Sequence, residues 1–372
     1  MSGATIGPVL PLMSEVFADT PNAEFLTRLI LTMPALFIVL SSTLCGYLVD
    51  RYGRKNILVM GTLLYGFAGS AGLWVDTLTA ILISRALLGI SVAAVMTVCI
   101  TLIGDYYRGS ERQHFMGLQS AFMAFGGVVF ITFGGILADI SWRAPFIIYT
   151  AAFFLLPSIM ITINEPERAG NSDGSQNNVL PPSAPLSIIF LIIAAAFTGM
   201  AIFYMIPVHI PFLLNSFGDI SNTQIGLALS SFVLMGAVVS LNYQKILKRV
   251  TYPTIYLICF FLLGAGYILI SFSDSYYQIF SGMILGGIGS GLLMPNSNVW
   301  LLSEAPEHLR GRLSGTLTSA IFLGQFLSPV MTHPLVDNYS VTTAFLIIGI
   351  SVAGISLILA TGRIFFQRSL HS

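Results

Sequence analysis

Runs of roughly 18 or more apolar residues, each long enough to cross a hydrocarbon core as one helix, recur along nearly the whole of this chain. They read as residues 26–48, 57–74, 78–104, 113–137, 143–163, 186–214, 223–244, 254–272, 277–303, 312–335 and 341–363. A further run, Ser2 to Phe17, comes first and is short, already meeting Glu15 and Asp19. Counting it, the spans are numbered 1 to 12. Inside a bilayer every backbone N–H and C=O must be paired within the segment, so such runs fold as helices. Only 9% of the residues are charged, against about 25% in a soluble protein, so lipid is the expected solvent. Cys45, Cys99 and Cys259 all fall inside apolar runs, which argues against a disulfide framework. The N-terminus lacks the basic stretch of a cleavable signal peptide, and none is expected.

The placement of charge orients the chain. One set of alternate loops carries Arg51, Arg54, Lys55, Arg108, Arg112, Arg168, Lys245, Lys248, Arg249, Arg310, Arg312, Arg363 and Arg368. The other set carries Arg28 and Arg143, and Arg85 lies within a span. By the positive-inside rule the first set is cytoplasmic, with both termini on that side of a cell membrane. Residues 165–185 form the only long polar stretch; they lack the apolar surface to fold and read as a flexible cytoplasmic linker. The linker divides the chain into 1–164 and 186–372, about six spans each. The halves repeat one another: Ser84-Arg85-Ala-Leu-Leu-Gly89 aligns with Ser281-Gly-Met-Ile-Leu-Gly286, and Arg112 and Gly117 align with Arg310 and Gly315. A repeat of that size in a membrane chain suggests two bundles rocking about a shared central site.

Between spans 2 and 3 stands Gly46-Tyr-Leu-Val-Asp50-Arg51-Tyr-Gly53-Arg54-Lys55. Gly46 is small enough for a neighbouring helix to approach, and Gly53 permits a tight turn. Asp50 can pair with Arg51 or Arg54, or face the N-terminus of another helix. The spacing G-x-x-x-D-R-x-G-R-K resembles the signature loop of the major facilitator superfamily of transporters. Leu82-x-x-Arg85-x-x-x-Gly89 resembles that superfamily's motif in span 4, whose arginine is associated with proton coupling. The resemblance covers essentially the whole chain. It implies an all-α integral membrane protein of about 12 helices in two pseudo-symmetric six-helix bundles, the first helix short. Ile6-Gly-Pro-Val-Leu-Pro11 resembles the outer half of a first transporter helix, so that helix is either trimmed or naturally short. In family terms Asp50, Arg51 and Arg54 latch the cytoplasmic face, with Asp105, Arg112, Arg310 and Arg312 as candidate partners.

Strongly polar side chains within spans are costly and face protein or a watery cavity. They are Arg85, Gln119, His209, Asn242, Asn296, Asn298, Gln325 and His333, with Tyr204 beside them as aromatic surface. Spans 3, 6, 9 and 12 have none in their interiors, which matches the superfamily's lipid-facing helices. Asn296 and Asn298, two residues apart after Pro295, point in different directions, so at most one faces a cavity. Arg85 either snorkels to the headgroups or takes part in proton coupling. His209, bracketed by Pro207 and Pro211 near the outer end of span 7, is either interfacial or a second coupling candidate. In span 5 the antiporter pattern G-x-x-x-G-P-x-x-G-G survives only at its ends, because Phe130-Ile131 replaces the central Gly-Pro. No carboxylate falls at mid-membrane.

No P-loop, metal-ligand cluster or nucleophile–base set is present, so neither an enzyme, an ATP-driven pump, a metal nor a cofactor is expected. The expected partners are a small-molecule substrate, protons and the lipid bilayer, not nucleic acid, and a monomer is expected. The first functional expectation is proton-coupled efflux of a hydrophobic or cationic small molecule by alternating access. Facilitated passage or uptake of a metabolite such as a sugar is the second. A non-transporting sensor or scaffold on the same fold is the third.

Overall fold

A computed structural model describes residues 4–165, 186–306 and 309–369, with backbone alone for residues 361–369. Of the expected linker, residues 165–185, all but Glu165 lie outside the described residues, Arg168 among them, as do Glu307, His308 and the side chains of Arg363 and Arg368. Helices are the only regular structure among the described residues, and eleven of them are long and apolar enough to cross a bilayer. In chain order they begin with a 3-10 turn Ala4–Val9 running into α1 (Leu10–Val16). Then come α2 (Ala23–Tyr52), α3 (Arg54–Ser70), α4 (Leu78–Tyr106), α5 (Gly109–Ala138) and α6 (Ala151–Thr162), the last preceded by a 3-10 stretch Ala144–Thr150. After the linker come α7 (Leu186–Phe203), α8 (Met205–Asn215), α9 (Asn222–Leu241), α10 (Tyr243–Leu247), α11 (Tyr252–Ser271), α12 (Tyr276–Glu304), α13 (Arg310–Asn338) and α14 (Val341–Ser369). Span 7 is α7 and α8 together, broken at Tyr204 because Pro207 has no N–H to give the carbonyl of Phe203.

The short first helix lies at the centre of the molecule. Pro8 and Pro11 keep its first half in the tighter 3-10 form, yet Ile6, Val9, Leu10 and Met13 are wholly buried against α2, α5 and α8. Its burial shows that it belongs to the bundle core.

The two halves touch at one end. Hydrogen bonds crossing between them gather at the end away from Arg51: Asp139 with the N–H groups of Asn222 (2.7 Å) and Thr223 (3.1 Å), Thr132 with Ser230 (2.8 Å), and Asn215 with Glu15 (3.4 Å). Glycines there allow backbones to meet, as small residues do between membrane helices. A Cβ on Gly135 would stand 2.6 Å from the Asn222 carbonyl oxygen, and one on Gly134 would strike that of Thr5. These two are one of the surviving ends of the span 5 glycine pattern. At the end bearing Arg51, here termed the basic end, a side chain added to Gly46, Gly117, Gly311 or Gly315 would meet nothing within 4 Å. The bundle is sealed at one end and parted at the other.

Candidate functional site

A cavity of about 410 Å³ lies between the halves, lined from α2, α4, α5, α7, α8, α9, α12 and α13. The break in span 7 positions its aromatic wall: Phe203, Tyr204, Ile206 and Pro207 all face it. The lining also includes Met96, Met123, Met200 and Met294, with Phe232 and Phe322. Its strongest polar groups are Tyr204, Asn298 and Gln325, and none of its lining residues is charged. Of the adjacent asparagines, Asn298 lines the cavity. Asn296 is wholly buried, taking a hydrogen bond from the Tyr243 hydroxyl (3.1 Å) and giving one to the Tyr252 carbonyl (3.1 Å). It ties α12 to the α10–α11 connection. Asn242 stands past the end of α9, donating back to the Val238 carbonyl (2.9 Å), and Gln119 is half-buried outside the lining. The expectation that both belong to the cavity is corrected: Asn242 terminates a helix instead of lying within a span.

At the basic end the loop between α2 and α3 is held by one expected partner, Asp105, and one unexpected partner, Glu165. Asp50 is exposed, and its carboxylate has no partner among the described residues. Arg54 pairs instead with Asp105 at the end of α4 (3.1 Å). Glu165 was read as the first residue of the linker. Its two carboxylate oxygens take the N–H groups of Arg54 (2.6 Å) and Lys55 (2.8 Å), filling donors that the first turn of α3 leaves open. Lys55 reaches back to the Met160 carbonyl (2.7 Å). Gly53 adopts φ +93°, and any Cβ there would lie 2.8 Å from a Glu165 carboxylate oxygen, so the glycine is required twice over. Arg51 bonds the Tyr47 hydroxyl (3.0 Å), Arg310 reaches the Ala305 carbonyl (3.3 Å), and Arg112 and Arg312 are exposed. Gly46 faces open space, so no helix uses its small size in this arrangement. The one local clue to Glu165 was an acid just after an apolar run.

Arg85 neither snorkels nor faces the cavity. It is 0% exposed and donates to the carbonyls of Ala68 (2.8 Å) and Gly69 (2.6 Å), where α3 gives way to a 3-10 turn and frees its last acceptors. The rings of Phe146 and Tyr149 lie 5.1 and 5.2 Å from its guanidinium carbon.

The sealed end holds a buried polar group. His209 is wholly buried, which corrects the interfacial reading, and its Nε2 lies 2.7 Å from the Thr332 hydroxyl oxygen. That hydroxyl donates to the Ser328 carbonyl (2.8 Å), so it accepts from His209, and the proton of the neutral ring belongs on Nε2. Nδ1 is left buried without a hydrogen-bond partner. Arg28 and His333 are its charged and titratable neighbours. Arg28, read from the sequence as a loop cation, is 2% exposed on α2, paired with Glu24 and set 4.8 Å from the Phe212 ring. The clue was the i, i+4 spacing of Glu24 and Arg28 on one helical face. His333 packs on Phe25, ring centres 4.5 Å apart. Just outside the membrane segment, Asp139 loses some solvation, which raises its pKa. Hydrogen bonds from the Thr223 hydroxyl and the Asn222 and Thr223 amides outweigh that and hold it below the usual carboxylate value.

The family model described as Major Facilitator Superfamily matches residues 1–219 and 191–368. Multidrug resistance protein 1 of Bacillus subtilis (strain 168) is 26% identical over 359 residues, covering 94% of this chain and 91% of that protein. Quinolone resistance protein NorA of Staphylococcus aureus (strain N315) is 24% identical over 367 residues, covering 95% and 92%. Among solved structures, a D-xylose–proton symporter superposes with a TM-score of 0.78 at 14% identity, over 95% of this chain and 93% of that one. A bacterial homologue of the lysosomal transporter Spinster, inward-facing and occupied, gives 0.71 at 15% identity, over 100% and 94%. At those identities the structures speak to fold alone.

Proposed function

This chain belongs to the Major Facilitator Superfamily of membrane transporters, and from that premise we propose that it exports hydrophobic or cationic small molecules in exchange for protons. The observation that carries the reading is the uncharged cavity of methionine and aromatic side chains, with Tyr204, Asn298 and Gln325 as its main polar contacts. Methionine adapts to many shapes, and ring faces attract cations without an ion pair. A sugar-binding cavity would present more amides and carboxylates. The names of the two resistance proteins support the same direction.

In this proposal the basic end is cytoplasmic, by the positive-inside rule, so the cavity opens inward and receives substrate from the cytoplasm. Alternating access then requires the basic end to close and the sealed end to open, one half rocking on the other. Asp50, Arg51, Arg54, Asp105, Arg112 and Arg310 form the latch of the closed basic end. His209 meets external water only once the outer seal parts, and its free Nδ1 is where a proton would be taken up. Arg85 acts in coupling through the α3 carbonyls it holds, being remote from the cavity lining. The altered centre of the span 5 pattern favours a second reading, facilitated passage of a metabolite.

The test uses purified protein in liposomes with an acidic lumen and a lumenal pH dye. Lipophilic cations and neutral drugs added in turn should alkalinise the lumen, and His209→Asn protein of unchanged thermal stability should lose that signal while still binding substrate. Substrate crossing with no proton movement would favour the carrier reading. Absence of any crossing by folded protein would favour the sensor.

A further inference from the structure

A second hollow of about 360 Å³ opens on the outside of the second half, away from the cavity. Leu191, Ala195, Thr198 and Ile202 of α7 form one wall, α14 forms the other, and Tyr256, Phe260 and Trp300 form the floor. The cavity takes Met200, Phe203 and Tyr204 from the same span, so the two hollows lie on different faces of one helical segment. The polar edges of the floor and far wall are already paired. The Tyr256 hydroxyl bonds Ser297 (2.8 Å), the Trp300 indole N–H reaches Glu304 (3.2 Å), and the Ser356 hydroxyl returns to the Val352 carbonyl (2.8 Å). What remains toward the hollow is almost wholly hydrocarbon and ring face.

Depth and charge identify the occupant. From Leu191 to Ile202 the wall rises about 16 Å at 1.5 Å per residue, close to the roughly 15 Å of hydrocarbon in one leaflet. The groove begins at Pro253, in the first turn of α11, and therefore belongs to the leaflet at the basic end. The connection leading into Pro253 carries Lys245, Lys248 and Arg249 and no acid from Asn242 onward. Lys245 is engaged with Asn242 (3.0 Å), whereas Lys248 and Arg249 are exposed and have no ion-pair partner among the described residues. Arg249 stands four residues before Pro253, at most about 14 Å of chain away.

We propose that this groove holds an acyl chain of an anionic phospholipid from the leaflet at the basic end, with its phosphate at Lys248 and Arg249. A lipid seated there packs behind the broken span that forms the cavity's aromatic wall, so it supports the wall at Tyr204. The proposal stands whether the transporter exports or imports.

The test leaves Trp300 as the sole tryptophan, through Trp74→Phe and Trp142→Phe. Its fluorescence is followed in nanodiscs of phosphatidylcholine containing a small fraction of brominated lipid. Brominated phosphatidylglycerol should quench Trp300 at roughly a thirtieth of the mole fraction that brominated phosphatidylcholine needs, the factor expected of two interfacial cations. Lys248→Gln with Arg249→Gln should erase the preference while leaving quenching by both lipids. Ala195→Phe, which fills the groove, should reduce quenching by either. Native mass spectrometry of the unaltered protein gives a second measurement that needs no groove variant: phosphatidylglycerol should be retained where phosphatidylcholine is stripped. Equal quenching by the two lipids, equal retention, or displacement of the brominated lipid by a transported lipophilic cation would overturn the proposal.

Discussion

Arg85 is a wholly buried guanidinium stabilised by backbone carbonyls and ring faces, and that arrangement makes it first of all a brace between α3 and α4. Hydrogen bonds to a charged group contribute about 1.5–3 kcal/mol each, so Arg85→Ala should lower stability by several kcal/mol. Arg85→Lys, which keeps the charge but loses the fork, should fall between. Thermal unfolding in detergent measures both, and wild-type stability in the alanine variant would remove the brace. Asp50 behaves differently. Its carboxylate is unpaired while the basic end is open, so Asp50→Asn should leave thermal stability unchanged and slow turnover more than it weakens substrate affinity. Transport kinetics at unchanged expression would show it. The Arg54–Asp105 pair is partly exposed and worth about 1 kcal/mol at most, less than the two amides that Glu165 satisfies alongside it. Asp139 sets a pH dependence. A carboxylate with a depressed folded pKa adds stability above its unfolded value and loses it as pH falls through the folded one. The folded value lies below 3.8, so the Asp139 contacts should persist unchanged from about pH 5 to 8. Asp139→Asn should loosen the seal across that range, read as faster labelling of a cysteine placed at Asn222.

Among elements, α5 and α13 carry glycines of two kinds. Gly135 on α5 is held within contact of the start of α9, so Gly135→Leu should force the sealed end apart and destabilise this state by about 1–3 kcal/mol. Gly315 on α13 faces open space, so Gly315→Leu should be silent in thermal unfolding. It should nevertheless slow transport roughly tenfold or more, because closure of the basic end brings helices where that side chain would stand. Equal effects of the two variants on stability would contradict the assignment of open and sealed ends. The repeat between the halves also diverges at one crossing. Where Arg85 binds the Gly69 carbonyl in the first half, Gly282 meets Gly266 directly in the second, a Cβ on Gly266 standing 2.7 Å from the Gly282 oxygen. The aligned positions keep the crossing and exchange a hydrogen-bonded brace for backbone contact.

For the whole molecule, the sealed and open ends make one directional expectation. Single cysteines lining the basic-end mouth, at Met123 or Thr318, should react with a membrane-impermeant reagent from that side. One at Val208, wholly buried against the first half, should react only under turnover with substrate, and ready labelling of Val208→Cys at rest would show that the seal is not the resting state.

The number of spans, their limits to within a few residues, the uneven basic loops and the superfamily signature were all legible in the sequence. Each depends on local facts: helix length against bilayer thickness, charge beside a span, and residue spacing in a turn. The family resemblance named Asp105 as a partner for this loop; the other partners were not legible. Asp50 and Arg54 are four apart and invite a pair, yet Arg54 takes Asp105, 51 positions away, and Glu165 reaches across 111 positions to the start of α3. Arg28 read as a loop cation because its burial depends on α8 and α13 folding over it. Asn296 and Asn298 were separable in direction by helical geometry, but which of them met the cavity depended on where α10 and α11 lay. The sequence by itself determined which segments cross the membrane and where the charged loops fall. Only the tertiary structure decided which polar groups are shared between helices, because in lipid an unpaired group takes whatever donor or acceptor packing brings within 3 Å, however distant in the chain.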